Sequence, residues 1–86
     1  MVYYVYLILS KKLNKCISYV GYTNNIEKRL NLHNKSKGAK FTKGRSWCLI
    51  YSKKYKSKSI AMKEEYNLKK NYKLRNQIKK NFLENL

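Results

Sequence analysis

Val2 to Leu9 runs without a charge through a chain in which 29% of residues are charged and the formal net charge is +17. Aromatic, β-branched and aliphatic residues of this kind suit a buried pleated surface, and the run stops at Ser10-Lys11-Lys12, so it predicts a core strand. Ile17 to Tyr22 predicts a second strand, and the polar segment Lys11 to Lys15 is short enough to make the two an antiparallel hairpin. The period of two places Tyr4, Tyr6 and Ile8 on one face, and Ile17, Tyr19 and Gly21 on one face of the second strand. If those faces coincide, Tyr6 and Tyr19 are near neighbours; the register that decides this is not readable from sequence.

The stretch Tyr19 to His33 organises the rest. It starts as strand, breaks at Gly21 and restarts as helix, with Asn24 expected as the N-cap and Glu27 completing a capping box. A helix from about Asn25 sets Ile26, Arg29, Leu30 and His33 on one face, so a guanidinium and an imidazole share the stripe that faces the core. The following loop, His33 to Arg45, carries five cations, with one helical turn expected over Ala39 to Thr42. Trp47 to Tyr51 predicts a third strand, and Lys53 to Lys58 a polar connection in which Ser57 or Ser59 caps the next helix. That helix, about Ile60 to Tyr72, aligns Ala61, Glu65, Leu68 and Tyr72 and turns Glu64 to solvent. Leu74, Ile78 and Phe82 align on a last helix, so residues 73–86 are expected as an amphipathic cover. The fold class expected is α/β, a compact single domain over residues 1–86 with a three-stranded sheet flanked by helices in the order β-β-α-β-α-α.

Such a charge works against compaction by self-repulsion and makes a polyanion the natural partner. Eighteen of the basic residues are Lys and three are Arg, namely Arg29, Arg45 and Arg75. Part of the Lys and Asn content is open to a genomic-composition explanation, which makes each Arg, with its planar fork for phosphate, the more informative cation. Cys16 and Cys48 are too few for a disulfide framework and lack the close Cys or His neighbours of a zinc site, so both are expected reduced, in a cytoplasmic setting. No secretory leader and no apolar run of membrane-spanning length is visible. The acids are Glu27, Glu64, Glu65 and Glu84, with no Asp. One glutamate suffices for a Mg²⁺ that keeps most of its waters and takes further ligands from a phosphate, an arrangement suited to phosphodiester cleavage.

From Tyr4 to Lys70 the residues resemble the GIY-YIG nuclease superfamily, and more narrowly its small stand-alone UPF0213 or YhbQ-like members. Tyr4-Val5-Tyr6 looks like the first motif, with Tyr6 on the family's catalytic tyrosine. Tyr19-Val20-Gly21 looks like the second. Arg29 falls on the helix arginine, His33 on the histidine and Glu65 on the metal-binding glutamate, while Gly38-Ala39-Lys40-Phe41-Thr42 is similar to the stand-alone subgroup. The resemblance departs at Tyr4, where the family has glycine, and at Tyr22, where many members carry lysine.

The resemblance implies a metal-dependent endonuclease acting on nucleic acid, DNA before RNA, with one Mg²⁺ or Mn²⁺ held by Glu65. Tyr6 would orient the attacking water or take its proton, Tyr19 would be hydrogen-bonded nearby, Arg29 would grip the scissile phosphate, and His33 would aid proton transfer or contact phosphate. Arg29, Lys35, Lys37, Lys40, Lys43 and Arg45 are the expected nucleic-acid contacts. Two other readings stay open: a non-catalytic nucleic-acid-binding module on the same fold, and an adapter acting beside a larger repair enzyme. Each residue also has a plain structural explanation: core tyrosines, an Arg stem laid over the core, a His at a helix end, a glutamate in a rim ion pair.

Overall fold

In the computed structural model, which describes residues 1–12 and 15–86, the uncharged run is the middle of three strands. β1 spans Tyr3–Lys12 and β2 Lys15–Thr23, followed by helix α1, Ile26–Asn34, and a 3₁₀ turn, Lys40–Thr42. β3 spans Cys48–Tyr55, and helices α2, Lys58–Lys70, and α3, Tyr72–Glu84, complete the chain. The sheet order is β2-β1-β3 with both pairings antiparallel, so the expected class and element order hold. Lys11, Lys12 and Lys15 prolong the hairpin strands, and the turn between them lies outside the described residues.

A middle strand is buried on both faces, which is why β1 carries no alternating polar residues. One face packs Val5, Leu7 and Val20 against Ala61 and Leu68 of α2, with Ile78 of α3 beside them. The other gathers Tyr6, Ile8 and Trp47 with Ile17, Tyr19, Leu30 and Leu49. Tyr6 pairs with Gly21 and Ile8 with Tyr19, so the two tyrosine-bearing faces coincide and Tyr6 and Tyr19 are diagonal neighbours.

Four local expectations are corrected. The cap of α1 is Asn25, not Asn24: β2 continues to Thr23, Asn25 keeps an extended backbone, and its Oδ1 accepts from the Lys28 amide at 3.0 Å. This one-residue shift removes Glu27 from the capping-box position. β3 runs on through Ser52, Lys53 and Lys54, where a connection was expected, because an outer strand can leave polar residues in water. α2 ends at Lys70 rather than running to Tyr72: Asn71 leaves helical geometry and its Oδ1 accepts from the Leu74 amide at 3.1 Å, capping α3. Glu64 turns into a groove with Tyr51, Lys53 and Tyr55 instead of to open solvent. Of the two candidate caps for α2, Ser57 accepts from the Ile60 amide.

Candidate nuclease active site

Gly21 explains how a tyrosine ring reaches across the hairpin. A Cβ there would overlap the Tyr6 hydroxyl, so the ring of Tyr6 lies over the backbone of β2 where a side chain would otherwise stand. Tyr6 itself is buried, and its hydroxyl meets Nε2 of His33 at 2.8 Å. His33, in the last turn of α1, is 0% exposed. Its ring sits edge-on to both Tyr6 and Tyr19, with centroids 5.9 and 5.2 Å away. Nδ1 of His33 lies 2.9 Å from Thr42 Oγ1, and Thr42 Oγ1 donates to the Ala39 carbonyl at 2.8 Å. A Cβ on Gly38 would overlap His33 Nδ1, so the loop presses close to the imidazole.

The loop is held by its own clamps. Trp47 Nε1 donates to the Thr42 carbonyl at 2.9 Å. Asn34 meets the Trp47 backbone twice, its Oδ1 accepting from the amide and its Nδ2 donating to the carbonyl. Ser36 adopts φ 60°, and Lys37 N–H returns to the Leu32 carbonyl at 2.8 Å, which ends α1 with a left-handed residue.

Tyr6, Tyr19, Arg29 and Glu65 line one open concavity of about 410 Å³, together with Gly21, Tyr22 and Lys58. That volume falls in the range of small-ligand sites. Burial pushes the Tyr6 hydroxyl above the usual tyrosine range; Arg29 beside it pulls the other way, while Tyr19 and Glu65 reinforce burial. Burial, and then the charge of Arg29, hold His33 below its usual value. A neutral phenol facing a neutral imidazole is the outcome near neutral pH.

Glu65 makes an ion pair with Lys69 at 3.3 Å on its own helix and stays partly open to the concavity. Among the described residues there is no cluster of three or more His, Cys, Asp or Glu. A lone carboxylate beside phenol and guanidinium suits a hard ion that retains its waters, such as Mg²⁺ or Mn²⁺, and does not suit zinc.

Of the six expected nucleic-acid contacts, only Arg29 lines this concavity. Lys37, Lys40 and Lys43 are exposed on the loop. Lys35 lines a separate groove on α1 with Lys28 and Asn31. Arg45 donates from Nε to Ser10 Oγ at 3.3 Å, tying the loop to β1. Sequence reasoning left Lys58 at the end of a Lys-rich connection and outside the expected catalytic set, although it stands two helical turns before Glu65 and so shares its face. It also assigned no role to Thr42 or to Phe41, which is 58% exposed and stacks on Tyr19 with centroids 6.0 Å apart. Tyr22, in place of lysine, is among the residues lining the concavity.

Residues 2–80 match the GIY-YIG catalytic domain family. The chain is 46% identical over 68 residues to a UPF0213 protein of Oceanobacillus iheyensis, covering 78% of this chain and 76% of that protein. It is 44% identical over 68 residues to a UPF0213 protein of Staphylococcus haemolyticus, covering 78% and 79% respectively. The solution NMR structure of a UPF0213 protein from Bacillus halodurans is 36% identical, with a TM-score of 0.48 over 91% of this chain and 82% of that one. No helix among the described residues is long and apolar enough to cross a membrane. The chain belongs to the GIY-YIG family of nuclease domains, within its UPF0213 group.

Proposed function

We infer that the domain is a divalent-metal-dependent endonuclease that hydrolyses phosphodiester bonds, in DNA before RNA. The observation that carries the reading is the convergence of Tyr6, Tyr19, Arg29 and Glu65, distant in sequence, on one concavity. Arg29 offers a planar fork to two phosphate oxygens and holds positive charge where the pentavalent phosphorus gathers negative charge. Tyr6 orients the attacking water at its hydroxyl and takes a proton from it as its own phenolic proton leaves, with His33 behind it as a hydrogen-bond partner. Tyr19 walls the site and packs edge-on against the imidazole. Glu65 would hold the divalent ion, which when bound would supply Lewis-acid stabilisation of charge on the phosphate and leaving oxygen. Lys58 adds a second cation to the same wall.

The test is supercoiled-plasmid nicking with Mg²⁺ or Mn²⁺, beside filter binding at two salt concentrations. Nicking is expected to stop on chelation. It is also expected to fall by about 100-fold or more in Glu65→Ala and Arg29→Ala proteins that remain folded, the scale of losing a preorganised charge-stabilising group. Metal-independent cleavage, or full activity in both variants, removes the reading. Tyr22 in the lining, where lysine is common in the family, favours one rival, a binding module without turnover; salt-sensitive retention of DNA with no nicking under any divalent ion would establish it.

A further inference from the structure

Three hydrogen bonds in series run from the Tyr6 hydroxyl to a backbone carbonyl, and the last one sets the direction of the others. The Ala39 carbonyl can only accept, so the single proton of the Thr42 hydroxyl, 2.8 Å away, is committed to it. Thr42 Oγ1 therefore turns lone pairs to His33, and the contact of 2.9 Å requires a proton on Nδ1. A neutral imidazole protonated on Nδ1 has its free lone pair on Nε2, and the 2.8 Å contact there makes Tyr6 the donor. Burial and the neighbouring Arg29 both disfavour the doubly protonated ring that would reverse this last bond. Thr42 and His33 are each 0% exposed, so no solvent competes for either group. The loop clamp of Trp47 on the Thr42 carbonyl, and the missing Cβ at Gly38, keep the hydroxyl against Nδ1.

We propose that Thr42 is a positioning residue that fixes His33 as the Nδ1–H tautomer, aiming the Nε2 lone pair at the Tyr6 hydroxyl so that His33 receives the tyrosine proton during cleavage. The Tyr6 Oη–H bond breaks as the Nε2–H bond forms, giving a transient imidazolium whose charge is offset by the phenolate it touches. The phenolate oxygen takes a proton from the water whose oxygen bonds to phosphorus, and the phosphorus–oxygen bond to the leaving nucleoside breaks with its electron pair. The leaving oxygen is protonated from solvent. Tyr6 then releases one proton to solvent as Nε2 returns its own to Tyr6, restoring the resting state. The tautomer stands on the hydrogen bonds alone, whereas its use in cleavage rests on the phosphodiesterase reading above.

His33 is the one histidine of the 86-residue chain, so a long-range ¹H–¹⁵N spectrum of this chain reads its tautomer without assignment ambiguity. The wild type is expected to show the Nδ1–H form at neutral pH, and Thr42→Ser to keep it. Thr42→Val, which retains shape but offers no acceptor, is expected to move the ring towards the Nε2–H form. It is also expected to lower kcat for nicking by about 100-fold with KM little changed, in line with losing one proton-transfer partner, while Thr42→Ser stays within a few-fold of wild type. An Nε2–H ring in the wild type overturns the proposal even if Thr42→Val fails to fold. So does an unmoved tautomer in folded Thr42→Val, or a moved tautomer with full activity. Absence of nicking in the wild type, with the Nδ1–H form present and sensitive to Thr42, removes the nuclease reading and the proton-acceptor role while leaving the tautomer assignment standing.

Discussion

His33 is polar on all its active edges and yet sits wholly inside the domain, a placement that pH can test. At rest its neighbours are Tyr6 with its own proton in place, Tyr19, Thr42 and the cationic Arg29, none of which then favours a second ring proton. The folded chain therefore takes up that proton at a lower pH than the unfolded chain, whose histidine titrates near 6.5. Once pH falls below that value the unfolded state binds more protons, so stability declines with it. The histidine's contribution is complete above about pH 6.5 and drains away towards the lowered folded value. Thermal melts from pH 8 to 5 are expected to show a steady Tm in the upper half and a falling one in the lower. The decline should be absent in His33→Gln, and a flat wild-type profile would contradict the burial argument.

Elements built from strong periodic patterns were legible, and the junctions between them were not. The hairpin could be read because Val2 to Leu9 has no charge and Tyr19-Val20-Gly21 pairs with it at a separation a short turn allows. Strand β3 was foreseen only in its apolar half, since Lys53 and Lys54 follow no core alternation on an outer strand. Thr42 escaped notice for another reason: hydrophobic periodicity says nothing about where a loop hydroxyl points. The break between α2 and α3 was hidden because Asn71 falls on the same helical stripe as Glu64 and Asn67. That residue closes α2 with its backbone amide, donated to Asn67 and Leu68, and opens α3 with its side chain. Asn71→Ala is expected to cost about 1 kcal/mol, the usual loss for a helix cap. For a domain of this size that corresponds to a Tm lower by roughly 4–8 °C, measurable by circular dichroism. An unchanged melt would mean that α3 is held by Ile78 and by the bond from Arg75 Nε to the Leu68 carbonyl without help from its cap.

Across the whole molecule, 21 cations face four carboxylates, and the described residues contain one ion pair, Glu65 with Lys69. Binding to a nucleic acid should therefore be dominated by counterion release. The logarithm of affinity is expected to fall linearly with the logarithm of salt, by about 0.9 per phosphate neutralised. Replacing Lys37, Lys40 and Lys43 together with alanine should flatten that slope by about 2.7 if each meets a phosphate. A slope that does not change in a filter-binding titration would assign the three lysines to solvent.

The lysines of β3 carry a consequence of their own. Lys53 and Lys54 lie exposed on a boundary strand whose outward amides and carbonyls would otherwise invite another chain to zip on. Two ammonium groups there make that docking self-defeating between identical molecules, so this edge resists lengthening the strand ladder even under crowding.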